Sequence, residues 1–411
     1  MKVAVIGGNA TGLTLAWLLS NQMEVDLYEK QDRLGDSLGK YVFSHQEKTI
    51  QIERNTTHYF PTYHNKIDAL FRYLNLYTEP LAASYLYVGK TPFSSESLFF
   101  TRPHFHCFAP LSNQQIQQAM KRFTAKTLYN CRQNIYPINL MLKQYMTSLN
   151  LKGQISNSIL PSLMGLLWQS SQTEMLNMPA ETIVRFLHTS GLLNANTQMR
   201  CIPAGFESYI NKMLFKGKFR YHLDRPIKKI TRQEGSVRLK DHKGKSLNYD
   251  QVFLACRIDQ ALPLLESLSD EEHSILTSIQ YTTVSYYLHQ DETIIPQLDG
   301  QQPLFVLEPY DIRRGNDCAY HINLSLMQNI DVPLYLSAQC PHPPAAEKIL
   351  LHDQWHRPQN MRTVSQAAHQ LDLLQGSGGI WYCSNYHDNS NMTTDIGAAL
   401  ALADKMKLKI W

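Results

Sequence analysis

The chain has 411 residues, 43% hydrophobic and 18% charged, with a formal net charge of +4. This is enough chain for two units with separate cores, and the composition excludes a disordered protein. A balance this close to neutral argues against nucleic acid as a partner, because tracking phosphates takes a dense excess of Lys and Arg.

In chain order, Val3-Ala4-Val5-Ile6 is a continuous β-prone run suited to a strand buried on both faces. It is too short for the apolar core of a signal peptide. A glycine turn follows, then Leu13, Ala16, Trp17 and Leu19 at helical spacing, then a second strand through Val25, Leu27 and Tyr28. Strand, turn, helix and strand make one right-handed βαβ start. Ile67, Leu70, Phe71 and Leu74 predict a helix over 64–76. Residues 112–190 read as mostly helical, punctuated by Pro161 and Pro179. Strands are predicted at 219–223, 227–232, 236–240 and 251–255, and more over 276–340. The end reads as a strand at 380–383, a loop, and a helix over 396–408. No apolar run reaches the length of a membrane span. The expected location is the cytoplasm, and the seven scattered cysteines, none in a C-x-x-C pair, fit reduced thiols rather than a zinc or dithiol site.

The first turn carries the strongest local chemistry. Gly7-Gly8-Asn9-Ala10-Thr11-Gly12 lies between a predicted strand and helix, where a dinucleotide belongs. Gly7 permits the tight turn, Gly12 permits close packing of helix on strand, and the N–H groups of the helix start, around Gly8 and Thr11, face a pyrophosphate. Glu29 ends the second strand, seventeen positions after Gly12, close to the roughly 20 expected for a ribose-binding acid. Asn9 departs from the usual middle glycine; Asn tolerates left-handed backbone, so the turn can survive it. The competing reading is an ordinary βα loop with no ligand.

Residues 29–37, Glu29-Lys30-Gln31-Asp32-Arg33-Leu34-Gly35-Asp36-Ser37, resemble the Glu-x-x-x-Arg-x-Gly-Gly segment of the amine oxidase and protoporphyrinogen oxidase superfamily of flavoproteins. The resemblance continues in order through Ile52-Glu53-Arg54 and His58-Tyr59-Phe60-Pro61, Leu166-Leu167-Trp168, Asn177-Met178-Pro179-Ala180, Ile202-Pro203-Ala204-Gly205-Phe206, the strand from Arg225-Pro226-Ile227, and Trp381-Tyr382-Cys383-Ser384-Asn385-Tyr386. The bacterial predicted NAD/FAD-binding, amine-oxidase-like branch is the most similar. The resemblance implies an α/β fold: an FAD-binding Rossmann-like βαβ domain (1–75, 200–265 and 375–411) with a discontinuous α+β substrate domain (76–199 and 266–374). It implies FAD as cofactor, held by Gly7, Gly8, Asn9, Thr11, Gly12, Glu29, Lys30, Arg33, Leu34 and Gly35. Ile227 would lie beside adenine, and Asn385, Thr394 and Asp395 at the C-terminal flavin element. Asn9, Asp36 and the loop after Cys383 depart from the family pattern.

The implied activity is that of an FAD-dependent oxidoreductase, taking a hydride from an amine or an apolar, fatty acyl-like substrate. Two rivals stand beside it: a flavin-dependent isomerase of the sugar-nucleotide mutase type, and a degenerate flavoprotein that works as a binding protein. By position, His58 and Tyr59 are the candidates to act on or hold the substrate; the alternative is that both are packing residues. Trp168 is expected in a core. Cys383, ending a strand, reads as a small apolar group and not as a flavin attachment point. No histidine pair has metal-ligand spacing, so no metal is expected. The partners expected are a small-molecule or lipid substrate and no nucleic acid; the oligomeric state stays open. In the tail, Lys405, Lys407 and Lys409 alternate with Met406, Leu408 and Ile410 before Trp411, which suits either a peripheral membrane contact or a packed helix with cations at its C-terminal end.

Overall fold

The computed structural model describes residues 1–35, 40–45, 47–53, 58–61, 64–81, 84–91, 94–101, 106–108, 114–153, 155–168, 170–189, 193, 198–295, 302–310, 317–359, 361–383 and 392–408. Asp36, Arg54 and Asn385 lie outside them, as does the tail from Lys409.

The run at residues 3–6 forms β1 (Lys2–Ile6), the centre of a parallel five-stranded sheet. It is flanked by β2 (Glu24–Tyr28) and the strand Gln251–Leu254, with Arg220–His222 and Ile380–Tyr382 at the edges. Side chains alternate across the sheet. Val3, Val5, Val25, Leu27 and Phe253 enter one core with α1 (Ala10–Leu19) and the helices Gly205–Lys216 and Met392–Lys405. Ala4, Ile6, Tyr28, Val252 and Leu254 enter the other, under the antiparallel strands of 227–249 and the helices Asp270–Ser278 and Met361–Leu374. Burial on both faces is why these strands are apolar throughout rather than alternating.

A mixed eight-stranded sheet builds the second half of the molecule. Its order is Ile349–Pro358, Tyr281–His289, Tyr335–Ala338, Asp317–Asn323, Phe305–Tyr310, Ser84–Thr91, Ser94–Thr101, His106–Phe108. Only the pairing of Phe305–Tyr310 with Ser84–Thr91 is parallel. The helices between 114 and 189 cover one face and share its largest core, with Phe123, Tyr145, Ile159, Trp168 and Ile183 packed on Tyr87, Leu307 and Leu336. The fold is therefore α/β, a Rossmann-like parallel sheet joined to an α+β region.

Several expectations shift. Within 276–340 the strands are real but the helices Asp270–Ser278 and Leu324–Gln328 intrude. The strands between 84 and 108, the strand Ile349–Pro358 and the helix Met361–Leu374 have no counterpart in the sequence reading. The last helix begins at Met392, four residues before the expected start, and ends at Lys405. Beyond it, Leu408 is buried and Met406 packs against the core of α1. Lys405 pairs with Asp372 at 2.7 Å. As far as Leu408, the chain packs on the protein.

Candidate functional site

The glycine turn sits at the C-terminal edge of the parallel sheet, where open α/β sheets bind ligands. Gly7 has φ +111, and a Cβ there would lie 2.7 Å from the carbonyl oxygen of Ala255. A Cβ on Gly12 would run into the Gly7 carbonyl oxygen, so helix and strand meet backbone to backbone. Asn9 is not left-handed: φ −72 and ψ −176 are extended. Its side chain instead caps α1. Oδ1 accepts from the N–H of Gly12 at 3.0 Å, and Nδ2 donates to the Ala255 carbonyl at 2.8 Å. Asn is among the best N-caps, so the turn survives by capping rather than by left-handed tolerance. Ala10 and Thr11, first in the helix, have no intrahelical acceptor for their N–H groups, as in any helix. No acid lies in the first turn of α1 to repel an anion.

Glu29 follows β2 and turns back onto the glycines. Its Oε2 accepts from the Gly8 N–H at 2.6 Å and its Oε1 from the Gln31 N–H at 2.9 Å. The segment after it is sewn in on both sides. The Gly35 N–H donates to the Gly8 carbonyl at 2.8 Å, and those of Arg225 and Asp224 donate to the carbonyls of Glu29 and Gln31. Leu34 covers Gly8, Gly35 (φ +73) packs on Ile210 and Phe206, and Lys30 and Arg33 are exposed. Ile227 is buried with Tyr28 beside this segment. The Thr14 and Tyr209 hydroxyls, 2.6 Å apart, tie α1 to the helix Gly205–Lys216. Glycine turn, helix start and Glu29 thus form one cradle.

The other candidates cluster on the strand His58–Tyr59, which pairs with Arg200 and Cys201. Alternation sends the two side chains opposite ways. Tyr59 is 1% exposed, in the core shared with α1. Its hydroxyl donates to Asp68 Oδ1 at 2.8 Å, and burial holds its pKa up at about 12. His58 turns towards the eight-stranded sheet, its ring edge-on to Phe305, which stacks on Tyr85. Its Nδ1 is shut off from solvent and has no hydrogen-bond partner among the described residues. Burial pushes its pKa down to about 4, so it is neutral at pH 7. An orphaned buried ring nitrogen is costly unless something supplies a partner.

Glu53, noticed in the sequence only as part of a motif, braces this region. Its carboxylate accepts from the Phe206 N–H, and from that of Glu207 at 3.3 Å, at the N-terminus of the helix Gly205–Lys216. Its backbone N–H and carbonyl are both bonded by the Gln328 side-chain amide. From sequence a mid-strand acid such as Asp26 reads as exposed, yet it is 4% exposed. Burial raises its pKa, but hydrogen bonds from Arg220, His222 and Tyr249 outweigh that and hold it at about 2. Cys383 is buried, and burial raises its thiol far above the usual range, which leaves little thiolate for bond formation. Asp395 lies in the first turn of the last helix, near Cys383; Thr394 precedes it there. Trp168 is 2% exposed, in the core. Among the described residues no cluster of His, Cys, Asp and Glu is placed to hold a metal.

A parallel sheet with a glycine turn and an acid at this edge is the architecture of dinucleotide-binding folds. The chain belongs to the flavin containing amine oxidoreductase family, whose profile matches residues 10–318. Membership carries with it a flavin-dependent oxidoreductase function in general terms. No curated protein matches the chain. Solved structures share its fold. A fatty acid isomerase from P. acnes that produces CLA is 11% identical, with a TM-score of 0.68 over 98% of both chains. A putrescine oxidase bound to putrescine is 12% identical, with 0.68 over 99% of both. An oxidoreductase from Methanosarcina mazei is 13% identical, with 0.69 over 98% of this chain and 100% of that one.

Proposed function

We propose that the chain is an FAD-dependent oxidoreductase that takes a hydride from a C–H bond of an amine or of an apolar, fatty acyl-like substrate. One observation carries the reading: in a chain of this family, the glycine turn, the start of α1 and Glu29 converge at the edge of the parallel sheet. The cradle fits a dinucleotide. Gly7, Gly8, Thr11 and Gly12 would bring backbone to the pyrophosphate, with Asn9 holding the turn. Glu29 would exchange its bond to Gly8 for the ribose hydroxyls. Lys30, Arg33, Leu34 and Gly35 would wrap the phosphates, Ile227 would lie beside adenine, and Asn385, Thr394 and Asp395 would meet the flavin end. On this reading the nucleotide unit comprises 1–75, 200–265 and 375–411, and the substrate unit the rest.

When bound, FAD supplies the two-electron acceptor. The protein binds and orients the donor carbon and excludes water. His58 Nδ1, neutral and unpartnered, would accept a hydrogen bond from the substrate, and its pKa keeps it from adding a positive charge beside an amine. Phe305 and Tyr85 beside it suit an apolar chain. The fold is shared by a fatty acid isomerase and a putrescine oxidase, so it accommodates both substrate classes. Tyr59, with its hydroxyl on Asp68, serves this site by packing.

The visible spectrum of the purified full-length protein tests the proposal. Flavin bands should be present, and acid precipitation should release FAD into the supernatant, leaving a colourless pellet. A colourless protein that rejects added FAD would support the binding-protein reading instead.

A further inference from the structure

We propose that the C-terminal half of the helix Gln114–Arg132, the turn after it and the start of the helix Leu142–Ser148 form a docking face for an anionic membrane. The first observation is charge. From Ser97 to Thr173 the chain has seven Lys and Arg residues and no Asp or Glu, although its overall charge is only +4. The remainder is therefore net acidic, and such asymmetry points to an anionic surface as partner. Lys121, Arg122, Lys126, Arg132 and Lys143 are all exposed. The acids on the packed helices Gln172–Leu176 and Ala180–Thr189 are already matched: Glu174 pairs with Arg357 at 2.7 Å and Glu181 with Arg185 at 2.8 Å.

The second observation is apolar and independent of the first. Tyr129, Ile135 and Ile138 are 57%, 56% and 62% exposed. The two isoleucines ride on a turn bounded by left-handed Asn134 (φ 55) and Asn139 (φ 63). The turn is braced. The Ile135 N–H donates to the Asn130 carbonyl at 2.8 Å, and the Tyr136 ring lies 3.8 Å from the Arg185 guanidinium. A braced tip with two exposed isoleucines, on a stretch of chain whose charged side chains are all cationic, matches the contact of a peripheral protein with a headgroup layer. Among the described residues no helix is long and apolar enough to cross a membrane, so the contact lies at the surface. A second copy of the chain fits poorly, because a two-fold contact would set this basic face against itself. Nucleic acid would use the cations but leave the isoleucines in water.

Co-sedimentation of the full-length protein with phosphatidylcholine vesicles, with and without phosphatidylglycerol, tests the proposal at low ionic strength. Binding should require the anionic lipid and weaken as salt is added. K126E and R132E should each weaken it at least about fivefold. I135S and I138S should each weaken it about tenfold or more, with the unfolding midpoint unchanged because both sites are exposed. A version ending at Asp404 should bind normally. Recovery of the wild type in the supernatant with anionic vesicles overturns the proposal. So does binding that the four substitutions leave intact, or binding lost only on removing the tail. A labelled oligonucleotide bound without vesicle binding, and indifferent to I135S and I138S, would reassign the face to nucleic acid.

Discussion

Two regions of the molecule handle polar groups in opposite ways. At the edge of the parallel sheet the chain presents backbone: Gly7 and Gly12 meet other main-chain atoms, the Gly8 carbonyl accepts from the Gly35 N–H, and Asn9 and Glu29 act by bonding N–H groups. At the strand His58–Tyr59 it presents side chains: one hydroxyl is tied to Asp68, and one imidazole nitrogen is buried without a partner among the described residues. A backbone site tolerates a changed side chain if the new one serves the same peptide groups, as the Asn9 cap does. A side-chain site depends on which face of a strand each residue takes and on what covers it.

The largest expected effects probe the backbone side. Gly12→Ala places a methyl against the Gly7 carbonyl oxygen, and separating helix from strand should cost about 3 kcal/mol. Denaturant unfolding should show the loss, with flavin content falling in parallel. An unchanged midpoint would mean the turn is looser than its contacts indicate.

The buried imidazoles should make the protein acid-sensitive to a similar degree. Burial lowers His58 to about 4, His64 to about 3 and His289 to about 4. Between those values and the ordinary 6.5, the unfolded chain binds more protons than the folded one, so stability rises with pH. The contribution is complete above pH 6.5 and is lost as pH falls towards 4. His289, 0% exposed, accepts from the Asp291 N–H and shares a hydrogen bond with the Ser337 hydroxyl. His289→Gln should flatten the pH dependence of unfolding free energy across this window, whatever it does to stability at pH 7. A slope equal to that of the wild type would show that His289 protonates without cost.

Glu29→Ala should weaken FAD about ten- to a hundredfold, because charge-assisted hydrogen bonds contribute roughly 1.5–3 kcal/mol. Titration of the flavin-free protein reads this directly, and unchanged affinity removes Glu29 from the site. The smallest effect is expected of Asn9→Gly. Losing the cap to glycine costs only a few tenths of a kcal/mol, and it frees the Gly12 N–H for a phosphate. FAD should bind a few-fold tighter; weaker binding would show that the asparagine is part of the cradle.

The glycine turn and the strands around it were largely legible in the sequence. A buried parallel strand is a run such as Val3–Ile6, a turn needing positive φ is a glycine, and the acid after β2 stands at a separation set by one helix and one strand. All of these lie within 35 residues, so local geometry decides them. The surroundings of the strand His58–Tyr59 were not. His58 and Tyr59 are neighbours in sequence, and only the alternation of a two-residue strand, set by its pairing with Cys201 and Arg200, separates them. The strands 84–108 carry no plain pattern of their own, and they join the sheet through the parallel pairing of Tyr85–Tyr87 with Phe305–Leu307, more than two hundred residues away. The sequence by itself determined the dinucleotide fold, because its signals are short-range and dictated by backbone sterics. Only the tertiary structure decided which side chains are buried, paired or left without a partner, because desolvation and cross-strand pairing depend on segments that meet only after the chain has folded.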